Sequence, residues 1–326
     1  MKQWGKQFWA ITGNTFTVLM GDPLTLIIHV LIIGLTLVIA CMPGFSNVGG
    51  QLKLVRDQSL ALSFMALSLL AAVGVRKALC DDMSKGMMPS IMSRPVSYSA
   101  LILGKWAGVI SSIFLLVTTA AIACLWTTRI IHYRLRIESL GLITYLVIFV
   151  VAMLTPALRH YWKGGNYMWQ TNLTIAILFP IAFFVLNFFG FEGASGSSFG
   201  SLVDWRSALA FAYIFMPLMV FTAILMFFAT IMDVSFLMIC AALLFFGGLF
   251  SAYMVNLLFT SDTLKAAIWI FTPNWQLYWL SDDLASSHIL SWAYLLPRLL
   301  NAVVQPAIFL ILGIASFKRL EIKGSV

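Results

Sequence analysis

Charge is what this chain has least of. Of 326 residues only 10% are charged, while 61% are hydrophobic and the mean hydropathy is +0.96. That balance excludes a soluble domain and predicts a polytopic, all-α integral membrane protein in the lipid bilayer. The net charge of +8 comes from basic residues scattered singly between apolar runs, so they read as determinants of topology and not as a nucleic-acid face. Cysteine is scarce too. Cys41, Cys80, Cys124 and Cys240 have no C-x-x-C or metal spacing, so they read as small buried hydrophobes and no metal site is expected. The chain has no G-x-x-x-x-G-K-[ST] loop, and without that phosphate cradle it is not expected to bind nucleotide or another cofactor. It also lacks an acid–base constellation. Asp282 and Asp283 are adjacent, point apart in any regular element and have no His or Cys motif beside them, so capping and solvation account for them and no catalytic residue is assigned. Residues 1–20 are amphipathic and lack a short apolar core with a small-residue cleavage site, which predicts that no signal peptide is removed.

The abundant feature is a series of long apolar runs. Residues 1–21 place Trp4, Phe8, Ile11, Thr15 and Leu19 on one helical stripe, with Lys2, Lys6, Gln7 and Asn14 elsewhere, the pattern of a helix in the headgroup plane. Asp22-Pro23 then turns the chain into the bilayer. Spans follow at about 24–42, 58–75 and 101–126; the first is long enough at roughly 1.5 Å per residue for about 30 Å of hydrocarbon, and the second is short. His29, in the first span, reads as a histidine hydrogen-bonded to a neighbouring helix. Residues 140–158 and 173–190 form a fourth and fifth span. Residues 207–258 carry only Asp233 as a charge and are too long for one crossing, so two spans meet at Met232-Asp233. The last span covers 294–317. Between it and residue 258, residues 259–292 carry Trp269, Trp275, Tyr278, Trp279 and Trp292, which with Tyr294 predict an aromatic belt at the outer interface.

This eight-span reading of a single domain, 1–326, puts both termini in the cytoplasm, with twelve of the twenty basic residues inside. Residues 127–139 carry Arg129, Arg134 and Arg136 on the outside, against the usual bias. A six-span version, with 140–190 partly interfacial, stays open.

Residues 76–105 are the polar island. Arg76, Lys77, Lys85, Arg94 and Lys105 place it on the cytoplasmic side, and Pro89 and Pro95 break it into short pieces. Met83, Met87, Met88 and Met92 recur at helical spacing, giving a short amphipathic helix with a soft apolar side suited to docking on another protein. A solvated loop is the alternative.

Ser93-Arg94-Pro95-Val96-Ser97, followed by Ile102-Leu103-Gly104-Lys105, resembles the segment between the second and third membrane helices of type-2 ABC transporter permeases. The paired spans around Gly247-Gly248-Leu249-Phe250-Ser251 resemble the same family, as does Pro273-Asn274-Trp275-Gln276 ahead of a last span closed by Phe317-Lys318-Arg319. The family pattern has a glutamate early in the segment and a basic residue after the serine. Here Asp81 and Asp82 stand near the first position and Tyr98 at the second. The resemblance implies that residues 76–100 are a cytoplasmic coupling segment docking on a separate ABC ATPase subunit, with Asp81, Asp82, Lys85, Met87, Met88, Met92, Arg94 and Pro95 at the contact. It further implies a homodimer or heterodimer of permeases in the plasma (inner) membrane, with ATP hydrolysed by the partner and not by this chain. The near absence of charge from the span centres favours an amphipathic substrate over a small ion. A polytopic enzyme acting on lipid or glycan, with Asp282, Asp283 and His288 as its polar centre, and a secondary transporter remain the other readings.

Overall fold

The computed structural model describes residues 2–42, 48–80, 96–131, 138–188, 199–281, 284 and 292–324, and among these there is no β-strand. The helices are α1 (Lys2–Met20), α2 (Pro23–Cys41), α3 (Val48–Val75, continued by a π-helical turn at Arg76–Cys80), α4 (Tyr98–Ile131) and α5 (Ser139–Lys163). They continue with α6 (Tyr167–Phe188), α7 (Arg206–Ala229), α8 (Val234–Leu258), α9 (Asp262–Phe271), a 3₁₀ turn at Trp275–Tyr278 and α10 (Trp292–Gly324). Eight of the helices in the described residues are long and apolar enough to cross a membrane. They include both α5 and α6, which matches the larger of the two counts the sequence allows.

The bundle is built around α4. At 34 residues and roughly 1.5 Å per residue it is about 50 Å long, against about 30 Å of hydrocarbon, and two apolar cores sit at successive heights along it. One core joins its Leu101–Cys124 part to α3, α7 and α8 through Leu67, Ile113, Leu116, Leu218 and Phe221. The other surrounds Trp126, whose ring lies 5.1 Å from Tyr145 and 5.7 Å from Phe179. The polar atoms of these buried aromatics reach backbone oxygens, as a Tyr or Trp inside an apolar core must. Tyr145 donates to Ile33 O (2.9 Å) and Trp126 Nε1 to Gly141 O (3.1 Å).

α1 and α2 run in succession along α4. Trp4 Nε1 donates to Ser99 Oγ (3.0 Å), and further along His29 meets Thr119. The stripe that reads as membrane-facing in the sequence is the side α1 turns to α4. A Cβ at Gly108 would come within 2.6 Å of Thr15 Cβ and 2.9 Å of Thr12 O, so the absent side chain is what lets the two backbones approach. Both ends of the described chain meet at this end of α4. Gln7 Oε1 accepts from Ser97 N (3.3 Å), and Phe317 stacks edge-on to Tyr98 at 6.1 Å.

The second span is longer than the expected 58–75. It runs over Gly50–Cys80, and the reason is that its early charges are matched. Arg56, 4% exposed, donates to Asp204 Oδ2 (3.3 Å), to Ser281 Oγ (3.1 Å) and to Ser281 O (3.0 Å), while Ser281 donates to Asp57. Arg129, likewise within α4 and beyond the expected end of the third span, forms a two-point bridge to Glu138 at 3.0 and 2.9 Å with both side chains 2% exposed. Its remaining nitrogen donates to Leu186 O (2.8 Å) and Asn187 Oδ1 (3.2 Å), closing the C-terminal turn of α6.

Glu138→Gln is therefore expected to cost about 3–5 kcal/mol by leaving a buried guanidinium uncompensated, whereas Arg129→Met with Glu138→Leu recovers most of that loss. Thermal unfolding of the purified protein in detergent measures both; equal destabilisation by the single and double changes would remove the ion pair from this account.

Candidate functional site

The two ends of the polar island are fixed in the bundle. On the incoming side, α3 widens into the π-helical turn Arg76–Cys80, a departure from the α-helix that recurs at functional positions. Lys77 pairs with Asp22 at the α1–α2 junction, and Lys105 reaches across from α4 to the Ala78 carbonyl. Lys105 is only 4% exposed, so this cation is turned into the protein and not outward to the headgroup layer. Cys80 is buried and lies 4.0 Å from Ala229 O. On the outgoing side, Val96 packs on the same apolar core, Ser97 Oγ accepts from Ala100 N (3.3 Å) as an N-cap, and Tyr98 rests on Phe317. Asp81, Asp82, Lys85, Met87, Met88, Met92, Arg94 and Pro95 lie outside the described residues. The residues that bracket positions 81–95 thus contact α4, α7, α10 and the α1–α2 junction.

At the opposite end, the aromatic stretch departs from the expected belt. Leaving the end of α8 at Leu258, the chain turns back, and Trp275 Nε1 donates to Phe245 O (3.0 Å) while Gln276 donates to Leu249 O (3.1 Å). These carbonyls lie 9 to 13 residues inside the helix end, a depth of about 14–20 Å at roughly 1.5 Å per residue. The chain then returns to Ser281 beside Arg56. Trp275 and Tyr278, 3% and 2% exposed, are thus core residues of a re-entrant segment. Non-helical backbone at such depth persists only where protein groups complete its hydrogen bonds. Here Gln305 donates to Trp269 O (2.9 Å) and Arg298 to Leu277 O (2.7 Å), and Asn301 reaches the Tyr278 hydroxyl (3.3 Å). Gly248 lies directly under the Trp275 indole, where a Cβ would overlap the ring.

Beneath the re-entrant segment two cavities, each of about 460 Å³, open on the flank of the bundle between α2, α3, α7 and α8. Both are lined by Met65, Phe245 and Phe246, and the first is roofed by Trp275 and Trp279. The lining is almost entirely apolar, with Gln276 and Tyr278 in the first cavity and Ser68 in the second as its polar residues, which suits a hydrocarbon chain or another helix. Among the described residues no three His, Cys, Asp or Glu side chains converge as a metal would need. His29 is fully buried, with Nδ1 3.0 Å from Asn172 Oδ1 and Nε2 2.8 Å from Thr119 Oγ1. Asn172 in turn donates to Met20 O (2.8 Å). That sequence of bonds requires the proton on Nδ1 and ties α2, α4, α6 and the end of α1 together, the structural role expected of this histidine.

Nothing in the sequence pointed to the Arg56–Asp204–Ser281 clamp, because its members stand far apart in the chain. Nor did it reveal the inward course of Trp275, whose neighbours in sequence match an interfacial belt equally well. Comparison with models of known protein families and with curated proteins returns no match. Asp282, Asp283 and His288 lie outside the described residues.

Gly248→Leu is expected to displace Trp275 and to cost about 1–3 kcal/mol through overpacking. Unfolding of the variant measured beside wild type at matched detergent concentration checks this, and an unchanged midpoint would mean that Trp275 is not seated against α8.

Proposed function

We propose that this chain is the membrane-spanning permease subunit of an ATP-binding cassette transporter, driven by a separate ATPase subunit and assembled as a dimer of permeases. The observation that supports this reading most is the double anchoring of the polar island. Lys77–Asp22 and Lys105 with the Ala78 carbonyl hold one end, and Ser97, Tyr98 and Phe317 hold the other. A membrane subunit without its own phosphate-binding loop can be driven by a partner that binds one of its conformations better than the other. A stiffly mounted segment lets such a difference reach the spans, because contacts made on it load α3 and α4 directly. The resemblance of the segment and its neighbours to type-2 permeases supplies the identity of the partner, and ATP hydrolysis belongs to that partner. In this reading the island and both termini face the cytoplasm and the membrane is the plasma (inner) membrane. The almost wholly apolar cavities on the flank of the bundle support an amphipathic substrate.

Met87→Asp with Met88→Asp places two carboxylates in the docking face and is expected to weaken association with the ATPase by several kcal/mol, since an unpaired buried carboxylate is costly. The bundle itself should keep its melting temperature. Co-purification of the variant with its ATPase, together with the rate of ATP hydrolysis, reads the effect; wild-type assembly and rate would leave the stretch as a solvated loop.

A further inference from the structure

The two cavities beneath the re-entrant segment form one groove, because Met65, Phe245 and Phe246 line both. On α3 its wall runs through Ala61, Met65, Leu69 and Ala72, and on α8 through Leu249, Phe245, Ala242 and Met238. Each series keeps the three- and four-residue spacing that holds to one side of a helix. Either wall is about 16 Å long at roughly 1.5 Å per residue, the depth of one leaflet in a hydrocarbon core of about 30 Å. The rim residues Leu31, Leu35, Met65, Leu69 and Phe246 are exposed, so the groove is continuous with the flank that meets hydrocarbon.

The polar atoms of the lining are already engaged. Trp275 and Gln276 donate to the Phe245 and Leu249 carbonyls, the Tyr278 hydroxyl accepts from Asn301, and Ser68 Oγ donates to Phe64 O (2.7 Å). Water therefore finds few partners in the groove, and an empty groove would forfeit dispersion contacts along its whole length.

The two ends of the groove differ. One is closed by Trp275 and Trp279. The other lies close to a polar level: Ala72 stands one turn before Arg76, Met238 little more than one turn after Asp233, and Ile28 within two turns of Asp22, which pairs with Lys77. A spanning helix in the groove would run into the two indoles, and one that stopped beneath them would leave its last four carbonyls without partners in an apolar space. An acyl chain ends in a methyl group and carries no such requirement.

We propose that this groove is a binding site for one acyl chain of a bilayer phospholipid from the leaflet on the side of the α1–α2 junction, its head level with Asp22 and its terminal methyl beneath Trp275 and Trp279. The site recognises the chain and not the head. It rests on the bundle crossing a bilayer and not on the permease reading, since it needs no ATPase.

The test uses the full chain reconstituted, without a partner, in dioleoyl-phosphatidylcholine vesicles that carry a small fraction of phosphatidylcholine with a diazirine at the end of one acyl chain. After irradiation, labelled residues are mapped by peptide mass spectrometry. Trp279 and Leu249, half-buried at the closed end, are expected to be labelled at least as strongly as Val147 and Val150, which are exposed on α5. The same diazirine chain on phosphatidylglycerol should label them equally. Ala66→Phe with Ala242→Phe fills the groove between the polar level and the indoles and should lower labelling of Trp279 and Leu249 roughly tenfold, the population shift that overpacking a site produces. Labelling of Val147 and Val150 should not change. The groove is open to the bilayer, so the variant should keep the wild-type melting temperature; if it melts lower, Ala242→Phe alone, at an exposed position, takes its place. The proposal is overturned if Trp279 and Leu249 are labelled less than the α5 residues, if the filled variant is labelled like wild type, if its α5 labelling falls equally, or if the two headgroups give different labelling.

Discussion

A backbone carbonyl or amide left without a partner in an apolar medium costs several kcal/mol, and that constraint governs every place where this bundle departs from plain helix. Four of the described departures are met by long polar side chains from other elements. Lys105 serves the Ala78 carbonyl inside the π-helical turn, Arg129 serves the end of α6, and Gln305 and Arg298 serve the re-entrant segment. Arg56 completes the set at Ser281. Lys105, Arg129, Arg298, Gln305 and Arg56 are therefore structural pins between helices.

The same pins bear on the distribution of positive charge. Arg56 and Arg129 count against the usual bias when basic residues are tallied along the sequence, yet Asp204 and Glu138 neutralise them in buried pairs. Cations so matched exert little pull on topology, whereas Arg159 and Lys163 carry their charge to the surface. The burial of Lys105 makes the complementary point. Its charge lies within the protein, holding α4 to the π-helical turn, and the polar island is defined as much by what is tied beneath it as by its own composition.

Much of the architecture was legible in the sequence, because length and hydropathy alone define a span. The Asp22-Pro23 break, the turn at Met232-Asp233 and the separate helices α5 and α6 all fall where those signals put them. The ends of α3 and α4 were not legible, since Arg56 and Arg129 look like residues that terminate a span until their distant partners are known. The depth of Trp275 was hidden for a related reason: an indole suits an interface and a core alike, and only Phe245 O and Gly248 decide between them. The docking face of the polar island was read from Met spacing and resemblance. The structure adds its mounting, through Lys77, Lys105, Ser97 and Tyr98, which no spacing rule contains.

In the permease proposal the island acts through its mounting, so that grip on an ATPase partner and transmission to the spans are separable. Lys105→Met removes the link between α4 and the π-helical turn while leaving the docking residues untouched. The measurement is the stimulation of ATP hydrolysis by substrate extract in reconstituted vesicles, alongside co-purification of the ATPase. The account predicts wild-type co-purification with stimulation largely lost in the variant; full stimulation with Lys105 replaced would contradict it.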